Sequence, residues 1–350
     1  MSLDDANAMH RVDQSDMLSI MERTPSRLSQ PADASSTCDS DFGEFENVVV
    51  GGMGGSGIVG DIVSDYCRER AEVPISVCRA LRIPKFVGKR TLFVAISYSG
   101  ETRETLEQLG QAKSAGARIV AITSGGKLLS HAKEEGMPYL RVPSDLLPRV
   151  ALPELTAALL FVMGTTRLLP DNSRVLLQAA KSLSDLIIKV NRTVPSQQNS
   201  AKQMAQALIN RLPIIIGDEA YASVLRRFKN ELNENSKMPA ICHTLPEGYH
   251  DDIEGLRELG QLSKPQPILL RTKNEIEGQK RTREQLELLL SNLGFPAVLE
   301  FAGNGNDELS QILTAITFAD YVSVYLAILR GEDPSKLRFI PRFREAMRLQ

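Results

Sequence analysis

Apolar runs of four to six residues, rich in Val and Ile, alternate along the chain with longer stretches whose apolar positions recur every three or four residues. The first pattern is that of a strand buried on both faces, the second that of a helix with one buried stripe. Together they predict an α/β fold, doubly wound around mostly parallel sheets. In the first half the pattern predicts strands near Asn47–Val50, Ile75–Arg79, Leu92–Ser97, Arg118–Thr123 and Tyr139–Val142. Helices are predicted between them, near Ser56–Arg68, Thr102–Ala115 and Leu128–Glu135. From Val150 to about Ala205 only helical spacing remains. Strands resume at Leu212–Gly217, Ala240–His243, Ile268–Arg271 and Ala297–Phe301, and a last helix is expected from Glu308 to Arg330. A short amphipathic helix at Ser15–Met21 precedes "SQPADASSTCDSD", which reads as a surface loop.

The two halves rhyme. "VVVGGMGGSGIVGDIV" has a counterpart in "IIIGDEAYASVL" about 166 residues later, an apolar triplet, a glycine and then a helix, which suggests an internal duplication. The expected division is a domain over residues 1–165 with ligand-binding loops and a second over 166–350. The second copy lacks the glycine cluster and is not expected to hold phosphate in the same way.

With 350 residues, 42% hydrophobic and 24% charged, the chain has material for about two cores. A net charge of -2 with both signs interspersed excludes a broad nucleic-acid footprint but not a small anionic ligand. Cys38, Cys67, Cys78 and Cys242 are scattered, so neither a disulfide framework nor a zinc module is indicated. The start is acidic without an apolar leader, and no apolar run reaches membrane-span length, which reads as a soluble cytoplasmic protein.

The chemistry begins at "NVVVGGMGGSGIVGD", a strand that stops on glycines and restarts as a helix. Such a turn brings backbone N–H groups and a helix dipole to an anion. A dinucleotide would need an acid ending the second strand, where "ISVCRAL" has Cys78-Arg79; Arg79 could still meet a phosphorylated ribose. Close helix–sheet packing alone would also account for the glycines. In "FVAISYSGETRET", Ser97, Ser99 and Thr102 cluster at the start of another helix. One hydroxyl suffices for an N-cap, whereas three with a glycine make a cradle for a phosphate monoester. Both loops end strands of one sheet, where open α/β sheets take ligands.

At these residues the sequence resembles a known family. "SYSGETRET" is similar to the SYSGxTxET signature of SIS (sugar isomerase) domains. With "GGMGGSGIVGD", "LLPRVALPEL", "RRFKNELNENSKMPA", "GYHDDIEG" and "ADYVSVYLAILRGEDPSKLRFI", nearly the whole chain resembles the bifunctional phosphoglucose/phosphomannose isomerases. The resemblance implies two SIS domains, each around a five-stranded, mostly parallel sheet. It also implies a homodimer and a reaction without metal or cofactor that interconverts glucose 6-phosphate or mannose 6-phosphate with fructose 6-phosphate. It implies that Ser56, Ser97, Ser99 and Thr102 hold phosphate, that Gly54 and Gly55 approach C1 and C2, and that Arg149 faces the enediolate. Glu234 is then the base, and His250 the ring-opening group reaching in from the neighbouring subunit. Arg344 stands where the family carries a lysine, and a guanidinium there binds oxygen but donates no proton at neutral pH.

The residues themselves leave bland readings open: a solvated helix end for Glu234, an interface ion pair for Arg149, and a surface cap for His250, whose proton exchange Asp251 or Asp252 could assist. Cys242 and His243, adjacent on a strand, face opposite ways and argue against zinc. Two rival functions stand beside catalysis, a non-catalytic sugar-phosphate sensor and an NADP-dependent reductase. Roughly 45 residues before the first strand are too few for the glutaminase domain of an amidotransferase.

Overall fold

The computed structural model describes residues 2–29, 37, 42–170, 172–273 and 275–348. Three short helices open the chain, α1 (Ala6–Val12), α2 (Met17–Glu22) and α3 (Thr24–Leu28). Asp13 caps α2 by accepting from the Met17 and Leu18 N–H groups at 2.9 and 3.1 Å. Apart from Ser29 and Thr37, the polar loop expected over 29–41, with Cys38, lies outside the described residues.

There follow β1 (Asn47–Gly51), α4 (Gly55–Cys67), β2 (Ile75–Cys78), β3 (Thr91–Ile96), α5 (Arg103–Ser114), β4 (Arg118–Thr123), α6 (Gly126–Glu134) and β5 (Tyr139–Arg141). The helical stretch is α7 (Leu152–Thr165), α8 (Ser173–Val190) and α9 (Ser200–Ala207). The second half has β6 (Leu212–Asp218), α10 (Ala222–Glu234), β7 (Ile241–Leu245), α11 (Leu256–Leu262) and β8 (Pro265–Arg271). It ends in α12 (Glu277–Asn292), β9 (Leu299–Ala302), α13 (Glu308–Leu329) and α14 (Ile340–Arg348).

Two compact units result. The first comprises residues 23–182 and 305–312, the second residues 1–22, 183–304 and 313–350. In the first, five parallel strands run in the order β2-β1-β3-β4-β5. Val48–Val50, Leu92–Ile96 and Val120–Ile122 are all fully buried, as strands covered on both faces must be. Phe93, Ala95 and Ala121 meet Leu109 and Ala112 of α5 and Leu128 and Ala132 of α6 on one face, while α4 and α7 pack on the other. The strand order reverses direction between β1 and β3, and this switch point opens the crevice in which such sheets bind ligands.

The second unit has a sheet of four parallel strands among the described residues, β7-β6-β8-β9, one fewer than the resemblance implied. Ile214, Ile216 and Leu269 pack on Leu256, Leu286 and Leu290 of α11 and α12. On α10, Phe228 meets Phe301 edge-on at 5.6 Å, and Phe301 stacks on Phe318 at 5.7 Å. β8 begins three residues earlier than its apolar run, at Pro265. A proline in a central strand would cost a ladder bond, but β9 pairs only from Ile268 onward, so Pro267 has a single neighbour strand.

α13 has the length and mean hydropathy, 1.8, of a membrane span, where no such stretch was expected; 89% of that window is buried inside the protein. Asp320, near its middle, is paired with Arg227, so its apolarity is that of a core helix. α14 was not expected from the pattern; Phe339, Phe343 and Met347, four residues apart, are all exposed.

Candidate active site

In the first unit three loops meet at the carboxyl ends of β1 and β3. The glycine turn follows β1. Gly54 caps α4 with φ 53°, and a Cβ there would meet no atom within 4 Å, so its glycine serves the left-handed backbone. Gly57 and Gly60 answer to packing: a Cβ on Gly57 would lie 2.8 Å from the Gly52 carbonyl, and one on Gly60 3.0 Å from Val50 and Val77. Ser56 sits buried in the first turn of α4, where the Ser56 and Gly57 N–H groups turn back on the Met53 carbonyl at 3.1 and 3.3 Å. Arg79, the group offered for a phosphorylated ribose, is engaged otherwise. Its guanidinium holds Asp61 and donates to the Gly57 carbonyl at 2.9 Å, tying α4 to the end of β2.

The hydroxyl loop follows β3. Thr102 occupies the N-cap of α5, yet its hydroxyl makes no capping bond. It accepts instead from the buried Ser97 hydroxyl at 2.9 Å, and Ser97 in turn accepts from the Gly100 N–H at 3.1 Å. Ser99, exposed, accepts from the Glu101 N–H at 3.2 Å. Gly100 has φ +68°, and a Cβ on it would lie 1.8 Å from the Gly125 carbonyl oxygen. The loop is locked from below: Glu101 accepts from the Lys127 N–H at 2.9 Å and Gly100 from the Leu128 N–H at 3.0 Å, at the start of α6. Three hydroxyls are thereby held at the positive end of α5, where an anion gains about 0.3–1 kcal/mol from the dipole alone.

The third loop carries Arg149, buried in a turn of 3-10 helix over Pro148–Val150. A Cβ on Gly55 would lie 3.6 Å from the Pro148 carbonyl, so the glycine turn and the arginine turn are in contact. Tyr98 joins the hydroxyl loop to the same turn. Its ring is buried, its hydroxyl accepts from the Leu146 N–H at 3.0 Å, and its carbonyl accepts from the Ser124 hydroxyl at 2.6 Å. Burial pushes the Tyr98 phenol up, so it stays protonated. Behind Arg149, Arg27 holds the Val150 carbonyl and lies 3.0 Å from Glu154, both side chains buried. Burial lowers the Arg27 pKa against the pull of Glu154 and raises that of Glu154 against the pull of Arg27. Tyr98, Glu101 and Arg27 escaped the sequence reading; the first two lie within the SYSGET stretch itself, while nothing in the sequence singles out Arg27.

In the second unit Glu234 is the last residue of α10, half-buried. The turn after it is fixed by polar bonds to α13 and its C-terminal extension. Asn235 donates to Glu231 and to the Ser323 hydroxyl, both at 2.9 Å, and Ser236 donates to the Ser323 carbonyl at 2.8 Å. Lys237 donates to the Asn235 and Asp333 carbonyls at 3.0 and 2.7 Å. One turn pair back, the buried Arg227 forks onto Asp320 through two bonds of 2.9 Å and reaches Glu231 at 2.8 Å. Burial would lower the Arg227 pKa, but these carboxylates outweigh it and hold the guanidinium charged.

His250 is exposed and closes a turn of 3-10 helix over Glu247–Tyr249, its ring 4.5 Å from that of Tyr249. The expected help from Asp251 or Asp252 is not arranged. Asp252 pairs with His243 Nδ1 at 2.5 Å, and Asp251 accepts from the Asp252 N–H at 2.5 Å. A strand histidine thus takes the carboxylate: His243 lies within β7, which runs to Leu245, two residues past its expected end. Arg344 lies on the exposed α14. Within each unit, then, the phosphate-cradle residues and Arg149 come together in the first, and the Glu234 turn is rigidly held in the second.

Residues 44–133 match the SIS domain family, and residues 197–347 match the bacterial phospho-glucose isomerase C-terminal SIS domain. The bifunctional phosphoglucose/phosphomannose isomerase of Caldicellulosiruptor bescii is 33% identical over 298 residues, covering 85% of this chain and 88% of its own. The D-glucosamine-6-phosphate 4-epimerase of Sulfolobus acidocaldarius is 28% identical, covering 86% and 89%. Among solved structures, a glucose-6-phosphate isomerase like protein from Thermus thermophilus superposes with a TM-score of 0.66 at 17% identity, over 99% of both chains, which is a likeness of fold. At this identity and coverage, the chain belongs to the bifunctional phosphoglucose/phosphomannose isomerase family.

Proposed function

We propose that the protein is an aldose–ketose isomerase that interconverts glucose 6-phosphate, and mannose 6-phosphate, with fructose 6-phosphate through a cis-enediol, acting in the cytoplasm. The observation that carries this is the hydroxyl loop, in which Thr102 forgoes its cap to join Ser97. In this reading Ser56, Ser97, Ser99 and Thr102 hold the phosphate, and Gly54 and Gly55 leave bare backbone beside C1 and C2. His250 exchanges the proton that opens the ring. Glu234 takes the proton from C2 of the aldose and returns it to C1, while Arg149 stabilises the negative oxygens of the enediolate. Arg344 binds a sugar oxygen without transferring a proton. An assay that starts from fructose 6-phosphate and identifies products by NMR tests the reaction. Glucose and mannose 6-phosphates are expected; a C4 epimer of the starting sugar, or binding without product, overturns the assignment.

Tyr98 is a positioning residue in this scheme. Tyr98→Phe leaves the Leu146 N–H without its acceptor and loosens the chain three residues before Arg149. It is expected to cost about 1–3 kcal/mol of stability and to lower kcat more than it raises KM. Thermal unfolding and steady-state kinetics check this; unchanged kcat in a destabilised protein sinks the positioning role.

We also propose that the enzyme works as a homodimer in which His250 serves the neighbouring subunit's sugar. Mixed dimers of Glu234→Gln and His250→Ala chains then regain one intact site, so co-refolding two inactive variants is expected to restore about a quarter of wild-type activity. The fraction follows from random pairing, in which half the dimers are mixed and each has one working site of two. No regained activity in verified mixed dimers argues that both groups belong to one chain's site.

A further inference from the structure

The second unit has a cavity at the amino-terminal end of its parallel sheet, opposite to the loop after β7 that carries His250. Arg211 stands immediately before β6, Lys264 immediately before β8, and Arg257 rises from α11; all three line one cleft of about 570 Å3 whose wall includes Asn292 and Phe295. No carboxylate lines it. Elsewhere in this unit arginines are closely paired: Arg271 with Glu275 and Glu300, and Arg283 with Glu275 and Glu287. Among the described residues, Arg211, Arg257 and Lys264 have no carboxylate within 4 Å.

Three like charges sharing a cleft repel one another, and something must offset that cost. The cleft lies where α11 and α12 end, so their carbonyl ends offset part of it, roughly half a charge per helix. Two helix ends amount to about one negative charge against three positive ones, and Arg257 lies in the opening turn of α11, where the dipole does not favour it. The surplus is what an anion would neutralise. We propose that this cleft is a second anion site, taking a small phosphorylated molecule with at least two negative charges. Its volume falls within the range of small-ligand pockets, roughly 300–1,000 Å3. Arg211 and Arg257 offer forked donors and Lys264 a point charge, and the amide of Asn292 can orient a phosphate oxygen.

The test is calorimetric titration of the full chain with inorganic pyrophosphate and, in a parallel arm, ATP. Both use a Ser56→Ala/Ser97→Ala/Ser99→Ala/Thr102→Ala background, which removes all four hydroxyls of the sugar-phosphate cradle. Saturable binding is expected there, weakening as salt is raised. Adding Arg211→Gln, Arg257→Gln and Lys264→Gln should weaken it at least about tenfold, as for lost charge-assisted bonds. Pyrophosphate binding with no gain from ATP assigns a bare phosphate site; tighter ATP binding assigns a nucleotide-sized one. Should the triple variant unfold, Arg257→Gln alone, at an exposed position, is expected to weaken binding about threefold. An absence of binding in the cradle-free background overturns the proposal. Binding that survives the triple substitution does too, and a loss of stability without loss of binding would show that the three cations serve the helix ends only.

Discussion

Glu234→Gln is expected to lower kcat by about 10²–10⁴-fold, the usual contribution of a positioned acid–base group, while sugar-phosphate binding stays within about threefold of wild type. The substitution keeps shape and removes only the proton-accepting charge. The turn that presents the residue is held by bonds from Asn235, Ser236 and Lys237, none of which involves the Glu234 side chain. Coupled assay and calorimetry measure the two quantities separately. A third readout is specific to the chemistry: in D2O, wild type should wash deuterium into C2 of glucose 6-phosphate and the variant should not. A variant that keeps most of its turnover, or exchanges deuterium at the normal rate, assigns the base to another group.

Gly100→Ala is expected to destroy the hydroxyl cradle. The left-handed backbone costs a side chain about 1–2 kcal/mol, and a Cβ only 1.8 Å from the Gly125 carbonyl cannot be accommodated without moving the loop. Moving it breaks the Gly100 and Glu101 bonds to the start of α6 and displaces Ser97 and Ser99 together. A loss of about 3 kcal/mol or more, with KM for sugar phosphate raised beyond about tenfold, is the expected result. Gly54→Ala is the control. It shares the positive φ but meets no atom within 4 Å, so its stability should fall by only about 1 kcal/mol. Equal destabilisation of the two variants would falsify the steric account.

The central strands of the first unit were legible because they are buried on both faces, and near-continuous runs such as "VVV" and "TLFVAI" have no competing reading. β8 was clipped because Pro265 and Pro267 forbid a ladder in general, and only the late start of β9 permits them here. α14 was missed because its apolar residues are exposed and nothing else in the sequence demands that they form a helix. At the site, residue types at strand ends could be read, but their partners could not. That Arg79 belongs to Asp61, and that Asp252 serves His243 and not its near neighbour His250, depends on where the backbone carries each group. The link from Arg27 to the Val150 carbonyl spans 123 residues, and no local pattern encodes it.

The buried fork of Arg227 on Asp320 constrains the routes by which this sequence can change. Removing Arg227 alone leaves Asp320 and the buried Glu231 without their cation and costs about 3–5 kcal/mol, while replacing the whole charged group with well-packed apolar residues is often neutral. A typical domain has only about 5–15 kcal/mol to lose. Arg227 and Glu231 on α10 and Asp320, 93 residues from Arg227 in the chain, are therefore joined in heredity as well as in space: a lineage that abandons the cation must abandon its two carboxylates with it, and the intermediates that keep them are the steep ground between two habitable sequences.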